Sequence, residues 1–201
     1  MAAGGTRHEP TAASGSVPLP HAVFSRAKPL KSARAAVVPF DTAPFPFSGE
    51  LPRSDRNFFE TAEDGRRFHR TGGGRVYWED ETYADNRVLL HIPKDFDVRR
   101  PSLLIVYFHG HGATLDDVRG RQRIPVQLSQ SGVNAVLVAP QLAVNAADSS
   151  IGKLWQPGGF ARFLGEAARQ LAALHGDPQS VKTFASLPVV IMTGHGDVDS
   201  A

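Results

Sequence analysis

The sequence contains no cysteine among its 201 residues. Disulfide bonds, thiolate metal sites and a cysteine nucleophile are therefore excluded. Long apolar runs are also missing: the strongest one, at residues 103–108, has the length of a strand and not of a membrane span. The first residues lack the apolar core of a secretory signal, so we expect a cytoplasmic protein that has no membrane partner.

Strong charge of one sign is likewise absent. The formal net charge is +2, and residues 1–40 hold five basic side chains against one acidic side chain. That segment carries a charge of +4, which leaves −2 for the remainder. Because the positive excess lies outside the region expected to fold, a basic nucleic-acid-binding domain is not indicated.

Residues 1–50 are rich in alanine, glycine, serine and proline, with prolines at positions 10, 18, 20, 29, 39, 44 and 46. Proline opposes both helices and central strands. We therefore predict a disordered, basic tail over residues 1–50 and a folded domain over residues 51–201. A start rich in alanine, serine and arginine is also typical of a transit peptide, but no clear amphipathic helix accompanies it here.

From residue 75 onward, strand-like and helix-like patterns alternate. Continuous apolar runs bounded by proline or glycine indicate strands that are buried on both faces. Apolar residues at spacings of three and four indicate an amphipathic helix. The predicted strands are residues 75–79, 87–92, 103–108, 133–139 and 187–192, and the predicted helices are residues 114–131, interrupted near Pro125, and 160–175. This alternation predicts an α/β fold with a mostly parallel sheet and flanking helices.

The motif Tyr-Phe-His-Gly-His-Gly occupies residues 107–112, directly after a buried strand. Its small residues allow a sharp turn and leave backbone N–H groups free to point into a cleft. Ligands in parallel α/β sheets bind at the carboxyl ends of the strands. A glycine-rich turn with incidental histidines is the alternative interpretation. We favour a functional loop because the strand, the motif and the following helix agree.

A strand that runs into His109 and Gly110 resembles the α/β-hydrolase superfamily, in which the loop between the third strand and the first helix forms one side of the oxyanion hole. Residues 133–140 resemble the next core strand of that fold. The stretches at residues 76–83 and 155–160 resemble a little-characterised group of bacterial hydrolase-like proteins. The resemblance covers about residues 45–191, which corresponds to the N-terminal half of an α/β-hydrolase fold.

The resemblance implies hydrolysis of a small-molecule ester or amide by a serine nucleophile, without a cofactor. It makes four residues candidates for the oxyanion hole: His109, Gly110, His111 and Gly112. In particular, the backbone N–H of Gly110 or His111 would stabilise a developing oxyanion.

The nucleophile itself is missing where the family would carry it. A Gly-x-Ser-x-Gly turn should follow the strand that ends near residue 192. The serine position is occupied by His195 or by Gly196, depending on the register, and no Gly-x-Ser-x-Gly occurs elsewhere in the chain. We therefore expect a catalytically incomplete, inactive chain. Either it is truncated or frame-shifted after about residue 191, which we favour because the resemblance ends abruptly, or it is a degenerate, non-catalytic relative.

Two further features leave alternatives open. The loop at residues 141–155 follows a core strand, so Asp148 and Trp155 are candidates to line a pocket, although a solvated loop with one packed tryptophan fits equally well. His109 and His111 also have a spacing used by metal-dependent hydrolases, but the fuller His-x-His-x-Asp-His pattern is absent, so we assign no metal. A non-enzymatic binding module is the third possibility. The sequence does not specify an oligomeric state.

Overall fold

The computed structural model describes residues 29–194, which form an eight-stranded, five-helix arrangement in two sheets. The strands are β1 (Arg34–Pro39), β2 (Glu60–Thr61), β3 (Arg67–Arg70), β4 (Val76–Trp78), β5 (Arg87–Ile92), β6 (Leu103–Phe108), β7 (Ala135–Pro140) and β8 (Val189–Thr193). The helices are α1 (Glu79–Thr82), α2 (Leu115–Arg119), α3 (Ile124–Ser131), α4 (Gly159–His175) and α5 (Val181–Ala185), with 3₁₀ turns at Gly152–Trp155 and Pro178–Ser180.

The main sheet has five strands in the order β1-β5-β7-β6-β8. Strand β6 is parallel to β7 and β8, whereas β5 is antiparallel to both β1 and β7. The α/β class is thus confirmed, but the sheet is mixed, and the prediction of a mostly parallel sheet is not. Helices α2 and α3 connect β6 to β7, and α4 and α5 connect β7 to β8, so these three strands run in one direction. The described connection at residues 93–102 holds no helix, and β6 runs opposite to β5.

The segment from residue 34 to residue 47 belongs to the fold, so the predicted tail boundary at residue 50 is wrong there. Strand β1 pairs with β5 along its whole length, from Arg34 opposite Ile92 to Pro39 opposite Arg87. The apolar run Ala-Ala-Val-Val at residues 35–38 is too short to be recognised as a strand between the neighbouring prolines. Proline is tolerated here because β1 is an edge strand. Residues 1–28, the rest of the predicted tail, lie outside the described residues.

Helices cover the two faces of the main sheet. Alternate residues of a strand point to opposite faces, and here Val106 and Val138 pack with Phe163 and Leu171 of α4 on one face. On the other face, Leu137 and its neighbours pack against α2 and α3. Helix α4 confirms the helix predicted over residues 160–175. The helix predicted over residues 114–131 is divided into α2 and α3 at residue 123, which adopts a left-handed backbone conformation with φ of 53°.

A second, antiparallel sheet, β2-β3-β4, lies beside the main one and contains the strand predicted at residues 75–79. It adjoins a cluster of aromatic side chains, which we call the aromatic cluster: Phe45, Phe47, Phe58, Phe59, Tyr83 and Trp155. Phe45, Phe58 and Tyr83 are completely buried. The aromatic cluster therefore joins the segment after β1 to the loop after β7.

Glu166 of α4 anchors the chain immediately after β1. Its buried carboxylate accepts hydrogen bonds from the backbone N–H groups of Asp41, at 3.0 Å, and Thr42, at 2.9 Å, and from the Thr42 hydroxyl. Burial alone would raise the pKa of Glu166, but the hydrogen bonds from Thr42 and Asp41 outweigh it and the pKa is lowered.

Across residues 29–194, no helix has the length and apolar content needed to cross a bilayer.

Candidate active site

A cleft of about 750 Å³ opens at the carboxyl end of the parallel strands. Its lining comes from the end of β6 and the following loop, from the loop after β7, from the end of β8 and from β4. The lining side chains and glycines are Arg75, Tyr77, Phe108, His109, Gly110, His111, Gly112, Leu142, Asn145, Ala147, Asp148, Ser149, Ile151, Thr193 and Gly194. This is the edge where ligands of parallel α/β sheets bind.

The ends of β6 and β8 converge at the floor of the cleft. Gly194 donates its N–H to the carbonyl of Phe108 at 2.7 Å. A Cβ atom at position 194 would lie 2.5 Å from Tyr107 Oη and 3.0 Å from the nitrogen of Gly110. A side chain at this position would therefore push against the loop that follows β6.

The buried side chain of His109 connects this loop to the loop after β7 through hydrogen bonds. Its Nδ1 lies 3.0 Å from the carbonyl of Gly110, while Nε2 accepts hydrogen bonds from the Leu142 N–H at 2.9 Å and from Gln141 Nε2 at 2.8 Å. These contacts assign a neutral ring with the proton on Nδ1. Burial of the ring lowers the pKa of His109. Both ring nitrogens are engaged, so His109 fixes the loop and offers no lone pair to a metal ion.

The backbone N–H groups of the loop differ in what they bind. Gly112 donates its N–H to the carbonyl of Ala146 at 2.9 Å, so the N–H of this oxyanion-hole candidate already has an acceptor. The N–H groups of Gly110 and His111 have no acceptor within residues 29–194. Two adjacent N–H groups of this loop, both on residues that line the cleft, therefore have no acceptor in the described part of the chain.

The side chain of His111 contacts a serine in the loop after β7, on another wall of the cleft. Its Nε2 lies 2.7 Å from the Oγ of Ser149, in the loop after β7, and both side chains are exposed. The next serine, Ser150, is buried, and its Oγ donates to Asp148 at 2.8 Å. Sequence reasoning missed the contact between His111 and Ser149, because 38 residues separate them and no local pattern links them.

The two candidate pocket residues of the 141–155 loop have different positions. Asp148 lines the cleft, and its carboxylate accepts hydrogen bonds from Tyr83 Oη at 2.7 Å and from the N–H and Oγ of Ser150. Burial and the contact with Asp148 raise the pKa of Tyr83. Trp155 is not among the lining residues, because its ring packs against Phe47 and Phe58 in the aromatic cluster.

The wall formed by β4 was not anticipated. Tyr77 lines the cleft, and its Oη accepts a hydrogen bond from the N–H of Ala147 at 3.1 Å, which connects the second sheet to the loop after β7. Arg75, the residue immediately before β4, also lines the cleft. The only sequence signal for these residues was the family resemblance of residues 76–83, which says nothing about where β4 packs.

The structure does not describe the two positions at which the family resemblance places the nucleophile. His195 and Gly196, the two positions where the family's nucleophile would stand, lie outside the described residues. In the described part of the chain, no group of three or more histidine, aspartate or glutamate side chains is arranged to hold a metal ion. No protein-family model matches the chain, and no curated protein matches it.

Proposed function

We propose that this chain is an α/β-hydrolase-like protein whose cleft binds the carbonyl group of a small ester or amide. The observation that carries the proposal is the pair of N–H groups at Gly110 and His111, which have no acceptor within the described residues. They follow β6, the third strand of the main sheet in chain order, and precede α2. Oxyanion donors occupy the corresponding loop in α/β-hydrolases.

The loop is suited to this task because it is rigid before a ligand arrives. His109 connects it to Gln141 and Leu142, and Gly112 connects it to Ala146. Donors that are held in place before the ligand binds need little reorganisation, and an oxyanion-hole donor is worth about 3–4 kcal/mol in a transition state.

The walls of the cleft suit the hydrocarbon part of such a ligand. Phe108, Leu142 and Ile151 supply apolar surface beside the two donors. The volume lies within the range of ordinary small-molecule sites.

The family's serine chemistry is not part of the proposal. Neither His195 nor Gly196 carries a hydroxyl group, so we propose no attack from the position after β8. A metal-dependent hydrolase is the less favoured alternative, because both ring nitrogens of His109 are already engaged. A carbonyl-binding module that does not turn its ligand over is compatible with the proposed binding mode.

The proposal can be tested by titrating ¹⁵N-labelled protein with acetanilide, a small amide, and, separately, with butyrate as a mimic of the charged oxygen. The amide signals of Gly110 and His111 should shift together. Replacing Ile151 by tryptophan fills the cleft and should weaken binding roughly tenfold, a loss of about 1.4 kcal/mol.

The matched control is Val133→Trp, because Val133 is exposed and precedes β7, at the opposite end of the strand from the cleft. It should leave the affinity unchanged. Saturating ligand without a shift at Gly110 or His111, or an affinity that Ile151→Trp does not alter, would contradict the proposal.

A further inference from the structure

We propose that Ser149 is a nucleophile and His111 its general base, so that the cleft can form an acyl-serine with activated carbonyl compounds. This inference rests on the proposed function for the position of the carbonyl group. The Ser149 Oγ and His111 Nε2 atoms are 2.7 Å apart. A hydroxyl nucleophile and its base must lie within about 2.6–3.2 Å of each other.

The parts needed for acyl transfer face the same cavity. Ser149, His111 and Gly110 all line the cleft. His111 contributes twice, because its ring contacts the serine and its backbone N–H is one of the two donors that lack an acceptor in the described chain. A carbonyl oxygen bound to these donors would bring the carbonyl carbon toward the wall that carries Ser149.

The neighbouring serine shows that the contact is specific to one hydroxyl group. Ser150 is buried and donates to Asp148, whose other oxygen accepts from Tyr83. These bonds fix the turn that presents Ser149. Of the two consecutive serines, only Ser149 is both exposed and paired with an imidazole.

The reaction is a two-step acyl transfer. Ser149 Oγ forms a bond to the carbonyl carbon and its proton moves to His111 Nε2, while the N–H groups bind the oxyanion. The bond to the leaving alkoxide or aryloxide breaks, and the leaving group takes the proton from Nε2. Water then attacks the acyl group, its proton moves to Nε2, and Ser149 leaves and recovers that proton.

The pair is a dyad and not a triad. Within residues 29–194, no carboxylate contacts the Nδ1 atom of His111, so nothing fixes the ring as an aspartate does in a triad. A triad with its acid disabled loses about 10⁴ in turnover. The reactive compounds are therefore those with good leaving groups, with aryl esters as substrates and fluorophosphonates as irreversible probes, and not unactivated amides.

The test uses the full chain and a fluorophosphonate probe: the Ser149 Oγ–P bond forms as the hydroxyl proton moves to His111 Nε2, the P–F bond breaks and fluoride leaves. Peptide mapping by mass spectrometry should place the label on Ser149 in the unmodified protein. The Ser149→Ala variant should lose the label, and His111→Gln should slow labelling roughly tenfold or more. The exposed Ser186, far from the cleft at the end of α5, provides the control, and Ser186→Ala should be labelled at the original rate.

Circular dichroism of each variant separates loss of reactivity from loss of folding, and mapping of the unmodified protein needs no variant at all. Labelling of another residue, labelling that His111→Gln does not slow, or no labelling would overturn the dyad. If the unmodified protein stays unlabelled while the amides of Gly110 and His111 still shift with butyrate, the dyad fails and the proposed function stands. If neither is seen, both fail.

Discussion

Replacing Glu166 by alanine should strongly destabilise the junction between β1 and α4. The buried carboxylate accepts from two backbone N–H groups, those of Asp41 and Thr42, and from the Thr42 hydroxyl. Alanine would leave both N–H groups without their acceptor; an unsatisfied buried group costs about 1–3 kcal/mol, and the cost is at the low end here because Thr42 is half-buried and Asp41 is exposed. Because water can enter part of the space, we expect a loss of about 3 kcal/mol in the free energy of unfolding, against a typical total of about 5–15 kcal/mol.

The measurement is urea denaturation followed by circular dichroism. Glu166→Gln keeps the shape, but its amide nitrogen would face a donor, so we expect a smaller loss of about 1–2 kcal/mol. Glu63→Ala, in an exposed turn, is the control and should change stability by less than about 0.5 kcal/mol. If Glu166→Ala were as mild as Glu63→Ala, the argument that this carboxylate holds the edge strand to α4 would be refuted.

The same variant makes a prediction about acid. The pKa of Glu166 is lowered from its ordinary value of 4.5, so the carboxylate's contribution is complete above that pH and is lost as the pH falls through the lowered value. Glu166→Ala should therefore be less sensitive to acid below about pH 4.5 than the unmodified protein. An unchanged difference in stability between the two proteins across this range would contradict the assignment.

Three further changes test other parts of the fold. Burial lowers the pKa of His175, whose ring nitrogens have no hydrogen-bond partner among the described residues. The free energy of unfolding should therefore fall as the pH drops below 6.5, by up to about 1.4 kcal/mol per pH unit. In urea denaturation His175→Leu should reduce this pH dependence, and an unchanged dependence would contradict the assignment to His175. Gly152 has φ of +48° and a Cβ there would lie 2.1 Å from the carbonyl oxygen of Pro44, so Gly152→Ala should lower the melting temperature far more than Gly65→Ala, where φ is +83° and the space is open; equal losses would argue against the clash. Ile191 is 54% exposed on the edge strand β8, so Ile191→Lys should reduce concentration-dependent light scattering, and unchanged scattering would show that this edge does not drive association.

The candidate site shows where sequence reasoning was sufficient. The position of the functional loop could be predicted, because a buried strand followed by His-Gly-His-Gly is a local pattern. The sequence could not predict which N–H groups of this loop lack an acceptor, because the Gly112 N–H donates to the carbonyl of Ala146, in a loop that follows another strand. The same limit applies to Trp155, whose aromatic partners come from before residue 60.

The sequence by itself determined the elements that depend on local periodicity. Strands β5 and β6 and helix α4 lie where apolar runs and three-to-four spacing predicted them. Only the tertiary structure decided that the sheet is mixed and that β1 belongs to it, because pairing between β1 and β5 joins residues about fifty positions apart. Only the tertiary structure also brings His111 within hydrogen-bond distance of Ser149. A contact between two loops depends on the order of their strands in the sheet, and local sequence patterns do not determine that order.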